Sequence, residues 1–396
     1  KGGESPLLLL NFLFPLFYLY LMQVVVKKSF FDVFQSYRNL GFEDKLSQVS
    51  RDDVERALSK DYLSDSDLIA LLSPLAKEYL PFMLKKSYFL TRKYFGNVIF
   101  IYAPLYVSDH CVNACLYCGF SVFNKFKRRT LNYDEVRKEA EILSGRGIRH
   151  VLLLTGESKL VGVEYICNVV KILKEYFDEV SIEIYPMTEE DYARVIESGA
   201  EGLTVYQEVY DPVIYDKLHV FGPKRDYLFR LETPDRGARA GFREINIGAL
   251  LGLAPVRKEV FFTLKHAEYI YENYPHVEVA VSFPRIRPIH GKNSFSFDIY
   301  DVSDEDILQF VAVARLFLNR VGINISTRET KEFRDNIMLL GPTRMSAGSS
   351  TYVGGYSEGK TDGQFDIADN RSVDEFVEAV RSKGLCPTFV NWVKEL

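Results

Sequence analysis

Residues 111–118 read CVNACLYC. Cys111, Cys115 and Cys118 are separated by three residues and then by two, while Cys167 and Cys386 lie far along the chain. A structural zinc site wants four ligands, commonly as two separated pairs. This loop supplies three, with Asp109 and His110 as the nearest candidates for a fourth. A [4Fe–4S] cube makes a different demand, one ligand for each iron beyond its sulfides. Three thiolates leave one iron open to a small molecule that binds through an amine and a carboxylate. On that reading the missing fourth cysteine is the functional feature. The alternative is zinc, and with it a non-catalytic metal- or cluster-binding module. Cys167 falls in step with Val163, Val170 and Leu173 on a helix face, as a small buried apolar residue would. Cys386, in GLCPTF, reads as structural.

A loop that holds a cofactor needs elements to hold the loop. From about residue 97, eight short β-branched or aromatic runs alternate with amphipathic helical stretches. The runs are 97–106, 150–157, 180–186, 202–208, 244–252, 277–286, 323–329 and 337–346. Helix starts are written at Asn132-Tyr-Asp-Glu and at Ser303-Asp-Glu-Asp, the second helix running on to a glycine stop at Gly322. Eight β/α alternations predict a parallel sheet closed into an α/β barrel of the (β/α)8 TIM type. The cysteines then sit in the first βα loop, over the mouth where such barrels do chemistry. Residues 22–96 read as an N-terminal helical extension, with starts at Ser50 and Ser64. The barrel spans 97–348. Residues 349–396 form a C-terminal part, a polar Gly-rich loop (350–371) and a last helix (372–384).

The chain has 396 residues, 47% apolar and 26% charged, as an ordinary globular protein does. A net charge of −5 gives no reason to expect nucleic acid or an anionic membrane. Clustered rather than paired cysteines fit a reducing, cytoplasmic compartment. Residues 6–22, PLLLLNFLFPLFYLYLM, are nearly all apolar. Asn11 and Pro15 interrupt them, and Met22 opens a soluble-looking segment. We read residues 1–21 as a mis-extended or leader segment, with a membrane anchor as the alternative; no membrane is expected if Met22 is the start.

CxxxCxxC after the first strand resembles the radical S-adenosylmethionine superfamily. The wider run LYVSDHCVNACLYCGFSVFNKFKRRTL (105–131) is similar to the tyrosine lyases that serve as 2-iminoacetate synthases in thiamine biosynthesis. So are LLLTGES (152–158), GLTVYQEVY (202–210), RLETPDRGARAG (230–241), SFPRIRP (282–288) and ISTRE (325–329). The resemblance covers roughly residues 30–396. It implies a [4Fe–4S] cluster on Cys111, Cys115 and Cys118, with S-adenosylmethionine on the open iron. It also implies cleavage of the Cα–Cβ bond of L-tyrosine to 2-iminoacetate and p-cresol.

Further residues take expected roles beside that resemblance. Tyr117 and Phe120 flank the cysteines and would shield a cluster or stack near adenine; loop packing is the plainer account. Glu157 ends the second strand, placed to accept hydrogen bonds from an ammonium group, by resemblance that of S-adenosylmethionine. Glu183 alternates with Ile182 and Ile184, so it should point into the barrel, where a buried carboxylate needs a cofactor, a substrate or an arginine as partner. Tyr206 is expected to line a phenol pocket. Ser326 and Arg328, ending the seventh run, are expected to hold the substrate α-carboxylate, because arginine grips carboxylates through two parallel bonds. Arg285, near Arg287 after the sixth run, is expected to bind substrate too. KFKRR (125–129) reads as a solvated face or as a docking face for an acidic electron donor.

The partners implied are L-tyrosine, thiazole synthase as consumer of 2-iminoacetate, and a low-potential donor of flavodoxin or ferredoxin type. The nearest rival is the tyrosine lyase that matures the [FeFe]-hydrogenase cluster. Its second cluster needs further C-terminal cysteines, and only Cys386 lies beyond residue 167 here. Other aromatic amino-acid radical lyases remain as alternatives.

Overall fold

The computed structural model describes residues 29–288, 297–359 and 363–390; the apolar run 6–22 lies outside them. Five helices come first: α1 (Phe30–Ser36), α2 (Phe42–Ser47), α3 (Arg51–Ser59), α4 (Asp65–Leu72) and α5 (Leu80–Phe95). The helix starts expected at Ser50 and Ser64 are both capping boxes. Each serine accepts from the N3 backbone amide, and Asp53 or Asp67 bonds back.

Eight parallel strands follow: β1 (Val98–Ser108), β2 (His150–Thr155), β3 (Glu179–Glu183), β4 (Gly202–Glu208), β5 (Glu244–Ala249), β6 (Glu278–Ser282), β7 (Gly322–Ile325) and β8 (Arg344–Ser346). β1 pairs with β8 along Phe100–Tyr102 and with β2 along Ala103–Ser108, which closes the barrel. The helices between and around the strands are α6 (Tyr133–Gly145), α7 (Val163–Lys174), α8 (Glu189–Glu197), α9 (Pro212–Leu218), α10 (Tyr227–Leu231), α11 (Thr233–Ala240), α12 (Val256–Asn273), α13 (Asp304–Phe317), α14 (Lys331–Ile337) and α15 (Val373–Ser382). The (β/α)8 expectation is met. Among the described residues no helix is long and apolar enough to cross a membrane.

Three local expectations are corrected. The run 337–346 is not one strand: Ile337 ends α14, and only Arg344–Ser346 is extended. A short apolar run cannot by itself be told from a buried helix end, and Ile337 and Met338 are fully buried. The helix begun at Ser303 stops at Phe317, and Gly322 instead opens β7, where a Cβ would stand 3.0 Å from that of Ala280. A ninth strand, β9 (Cys386–Thr388), was not expected; it pairs in parallel with Val98–Phe100 at the foot of β1.

Alternation along the strands sorts the side chains. Ile99, Ile101, Ala103, Leu105, Val151, Leu153, Val180, Ile182, Val279, Val281 and Ile323 are buried in the layer between sheet and helices. Tyr102, Pro104, Tyr106, Leu152, Leu154, Glu183, Ser282, Asn324 and Ser346 line the barrel's interior cavity. The foot of the barrel is charged. Arg344, the first residue of β8, pairs with Glu244, the first of β5, and reaches Glu278, the first of β6, at 3.1 Å.

The N-terminal helices dock through aromatic packing. Phe30 stacks on His266 with ring centroids 3.7 Å apart, and Tyr210 donates its hydroxyl or accepts at His266 Nδ1 across 3.1 Å. Beside them Glu259 of α12 is 1% exposed and accepts from the Tyr210 backbone amide, its other oxygen having no partner among the described residues. Burial raises its carboxyl from 4.5 to about 8. The folded chain therefore keeps a proton that the unfolded chain loses between those pH values, and stability falls as pH rises through that window. Glu259→Gln has no proton to lose and keeps the acceptor. We expect it to flatten the fall in thermal stability between pH 5 and pH 8.5, with a gain at pH 8.5 on the order of 1–3 kcal/mol, read from melting curves across pH.

Candidate active site

β1 carries a register shift between Tyr106 and Ser108, and the chain then leaves the barrel as the cysteine loop. The loop is tied down from three sides. Its Val112 amide donates to the Glu157 carbonyl (2.8 Å), Ala114 to Phe221 (2.8 Å) and Leu116 to Leu218 (3.1 Å), while Cys115 bridges His219. Arg128 completes the clasp by donating to the carbonyls of Asp109, Phe120, Ser121 and Asn124. The KFKRR run is therefore split: Arg128 holds the loop, Arg129 pairs with Glu135 and Glu358, and Lys125 and Lys127 face solvent.

All three cysteines line one cavity of about 640 Å3. Among the described residues no three His, Cys, Asp or Glu side chains gather round one point as a single metal ion would require. The three thiols share one cavity wall. Burial pushes the Cys115 thiol up to about 12 and raises that of Cys118, so both favour the protonated form unless a ligand takes the proton's place. Gly156 and Gly119 keep the wall thin. A Cβ on Gly156 would lie 2.4 Å from the His110 carbonyl, and one on Gly119 would lie 2.5 Å from the Gln364 carbonyl.

Two further cavities, of about 690 and 520 Å3, adjoin the first, and Glu183 and Tyr206 line all three. Glu183 thus points inward, between the cysteine chamber and a second chamber walled by Tyr102, Tyr106, Phe283, Ser326 and Arg328. Burial raises its carboxyl to about 7, against the pull of Arg328. The Arg328 guanidinium lies flat on Phe365, 3.3 Å from the ring centroid. Burial lowers its pKa, and among the described residues no carboxylate stands within ion-pair distance of it. A guanidinium so placed is free to grip the carboxylate of a ligand.

Glu208, at the end of β4, is the non-glycine residue with positive φ among those described, at 69°. A second register shift, between Tyr206 and Glu208, turns it into the cavity. Lys224 meets its carboxylate at 2.7 Å and Arg230 at 3.6 Å. Burial raises the carboxyl, but these two cations outweigh burial and hold it below the ordinary value. The strained turn therefore fixes a charged cluster against the cysteine loop.

Of the residues expected at the site, Phe120 and Glu157 line the cysteine chamber, and Asn113 donates to Glu157 at 2.7 Å. Tyr117 is buried behind it, its hydroxyl 2.7 Å from His219 Nε2 and its ring faced by Lys224. Ser326 and Arg328 line the second chamber together, the Arg328 amide donating to the Ser326 hydroxyl at 3.3 Å. Arg285 is not brought to it. Its guanidinium is committed to Glu329, to Asp304 at 2.8 Å and to the Val302 carbonyl, so its place is to hold the loop after β7. Sequence reasoning missed Gln364 and Phe365. Gln364 accepts from the Tyr106 hydroxyl at 2.8 Å and donates toward the Cys118 sulfur at 3.8 Å. Nothing in a polar Gly-rich loop marks such a residue; the Lys224 and Arg230 contacts to Glu208 likewise exist only in three dimensions.

Residues 105–260 match the Radical SAM superfamily, and residues 282–386 match the Biotin and Thiamin Synthesis associated domain. The chain is 36% identical over 363 residues to 2-iminoacetate synthase of Salmonella typhimurium and equally to that of Escherichia coli, covering 90% of this chain and 95% of each relative. Among solved structures it is similar to HydG, a maturase of the [FeFe]-hydrogenase, with a TM-score of 0.85 and 30% identity over 91% of this chain and 82% of that one.

If the shared wall holds a cluster, Cys111→Ala, Cys115→Ala and Cys118→Ala should each lose bound iron and acid-labile sulfide on anaerobic reconstitution. Cys386→Ser, exposed on β9, should retain both. Metal and sulfide analysis checks this, and stoichiometric zinc without sulfide would restore the zinc alternative.

Proposed function

The chain belongs to the radical SAM superfamily and, within it, to the family of the 2-iminoacetate synthases, and from this we propose that it cleaves the Cα–Cβ bond of L-tyrosine to 2-iminoacetate and p-cresol. The observation that carries the reading is the shared wall of Glu183 and Tyr206, which sets the three-cysteine chamber directly against the chamber of Arg328, which has no ion-pair partner among the described residues.

Cys111, Cys115 and Cys118 would hold a [4Fe–4S] cluster, and Glu157, fixed by Asn113, would accept from the ammonium of S-adenosylmethionine. When bound, these groups supply one-electron cleavage of the sulfonium and abstraction of a hydrogen from the substrate. Everything else is placement. Arg328, pre-oriented on Phe365, grips the tyrosine carboxylate with Ser326 beside it. Glu183, its carboxyl near 7, accepts from the cofactor on one side and from the substrate amine on the other. Tyr106, Tyr206, Phe283 and Phe365 wall off water and other hydrogen donors. Phe120, buried and packed edge-on to Tyr106, dries the cluster side.

2-Iminoacetate is consumed in thiazole formation, so thiazole synthase is the expected partner on the product side. The electron comes from an acidic low-potential carrier of flavodoxin or ferredoxin type. Residues 111–129 contain no acidic residue, and Lys125 and Lys127 project from that loop into solvent. The likeness to HydG favours a second reading, maturation of a hydrogenase cluster. It requires carbon monoxide and cyanide as further products.

The reconstituted protein, reduced with tyrosine and S-adenosylmethionine, should release p-cresol and 5′-deoxyadenosine without carbon monoxide or cyanide. Arg328→Ala should raise KM for tyrosine about 30-fold or more, the loss of about 2 kcal/mol or more for a buried charged contact. 5′-Deoxyadenosine formed without p-cresol would refute tyrosine as substrate.

A further inference from the structure

The second chamber has an end that the proposed mechanism leaves unused. Asn324 of β7 is 9% exposed, and its side-chain oxygen is buried without a hydrogen-bond partner among the described residues. The hydroxyl of Ser349 is in the same condition, and both residues line this one chamber. Neighbouring polar groups at that depth are satisfied. Ser282 donates to Asn246 at 3.1 Å, and Asn246 donates to Thr204 at 3.4 Å. Leaving a buried amide unpaired costs about 1–3 kcal/mol, so an orphan facing a cavity marks a place for a polar ligand group.

The row along β7 says which group. Asn324 of β7 lines the chamber wall, and so do Ser326, just past the strand's end, and Arg328 in the turn that follows. Extended chain rises about 3.3 Å per residue, which sets Asn324 roughly 7 Å below Ser326, toward the barrel foot. An amino acid whose carboxylate is held at Arg328 and Ser326 points its side chain down this row. The wall on the way is Tyr102, Leu152, Leu154 and Phe283, a surface for a ring rather than a charged chain. At its foot end, level with Arg344 on the neighbouring strand, stands the Asn324 amide.

Resting on the reading of the site as a tyrosine lyase, we propose that Asn324 binds the phenol hydroxyl of the substrate and thereby sets the preference for tyrosine over phenylalanine. Among the described residues no hydrogen bond holds the Asn324 oxygen, so the amide can turn either end toward the ligand: oxygen to accept from the phenol, or nitrogen to donate to it. A site built to bond a hydroxyl rejects the analogue without it, because its buried polar groups are then left unpaired. Replacing Asn324 by an apolar residue removes that penalty. It should weaken tyrosine and relieve phenylalanine together, a pattern that mere loss of packing does not produce.

The test measures kcat/KM of the reconstituted holoenzyme for tyrosine, by p-cresol, and for phenylalanine, by toluene. Asn324→Leu, close in volume, should lower the tyrosine value about 10- to 100-fold while holding or raising that for phenylalanine. Asn324→Asp retains an acceptor and should keep the preference for tyrosine. Asn324→Ala, which also removes the amide, gives a shift of the same sign and carries the test should Asn324→Leu fail to fold. An unchanged tyrosine-to-phenylalanine ratio in both apolar variants overturns the assignment. A wild-type holoenzyme that yields no p-cresol fails the tyrosine-lyase reading instead, so the two failures are distinguishable.

Discussion

A barrel that keeps its lumen for chemistry must find its stability elsewhere. TIM barrels usually fill the interior with branched apolar side chains. Here the upper interior holds three adjoining cavities and a set of charged and polar groups, among them Glu183, Glu208, Arg328 and Asn324. The apolar mass lies in the surrounding layer, where Ile101, Leu105, Leu153, Ile182, Val281 and Ile323 meet the helices. Each charge turned inward needs either a partner or a use. Glu208 has Lys224 and Arg230, Arg334 has Asp369, and Arg344 has Glu244. Among the described residues neither Arg328 nor Glu183 has an ion-pair partner, and both line the cavities at the barrel's upper end.

The same constraint explains why loops far apart in sequence meet over the mouth. The cysteine loop is held by the 218–221 segment, by Glu157 and by the carbonyl clasp of Arg128. The C-terminal loop comes down beside it through Gln364, which touches both Cys118 and Tyr106. Phe365, the next residue, carries Arg328. One short stretch of loop therefore braces the metal side and the substrate side at once.

Much of this was legible in the residues. Cysteine spacing named the loop, β/α alternation named the barrel, and the two-residue period of β3 aimed Glu183 inward. Ser326 and Arg328 could be read as strand-end polar residues. What was not legible depends on tertiary approach. The bulge that twists Glu208 into αL leaves no mark in GLTVYQE. Arg285 looked as free as Arg328, because nothing local reveals that Glu329 and Asp304 hold it. Gln364, Phe365 and Ser349 lie in a Gly-rich stretch without period, where position is set by what the loop covers.

The charged foot of the barrel has its own consequence. Arg344 ties together the first residues of three strands, β5, β6 and β8, through Glu244 and Glu278. Removing that one guanidinium would leave the buried Glu244 facing Glu278 with no cation between them, so the end of the barrel farthest from the chemistry leans on a single side chain.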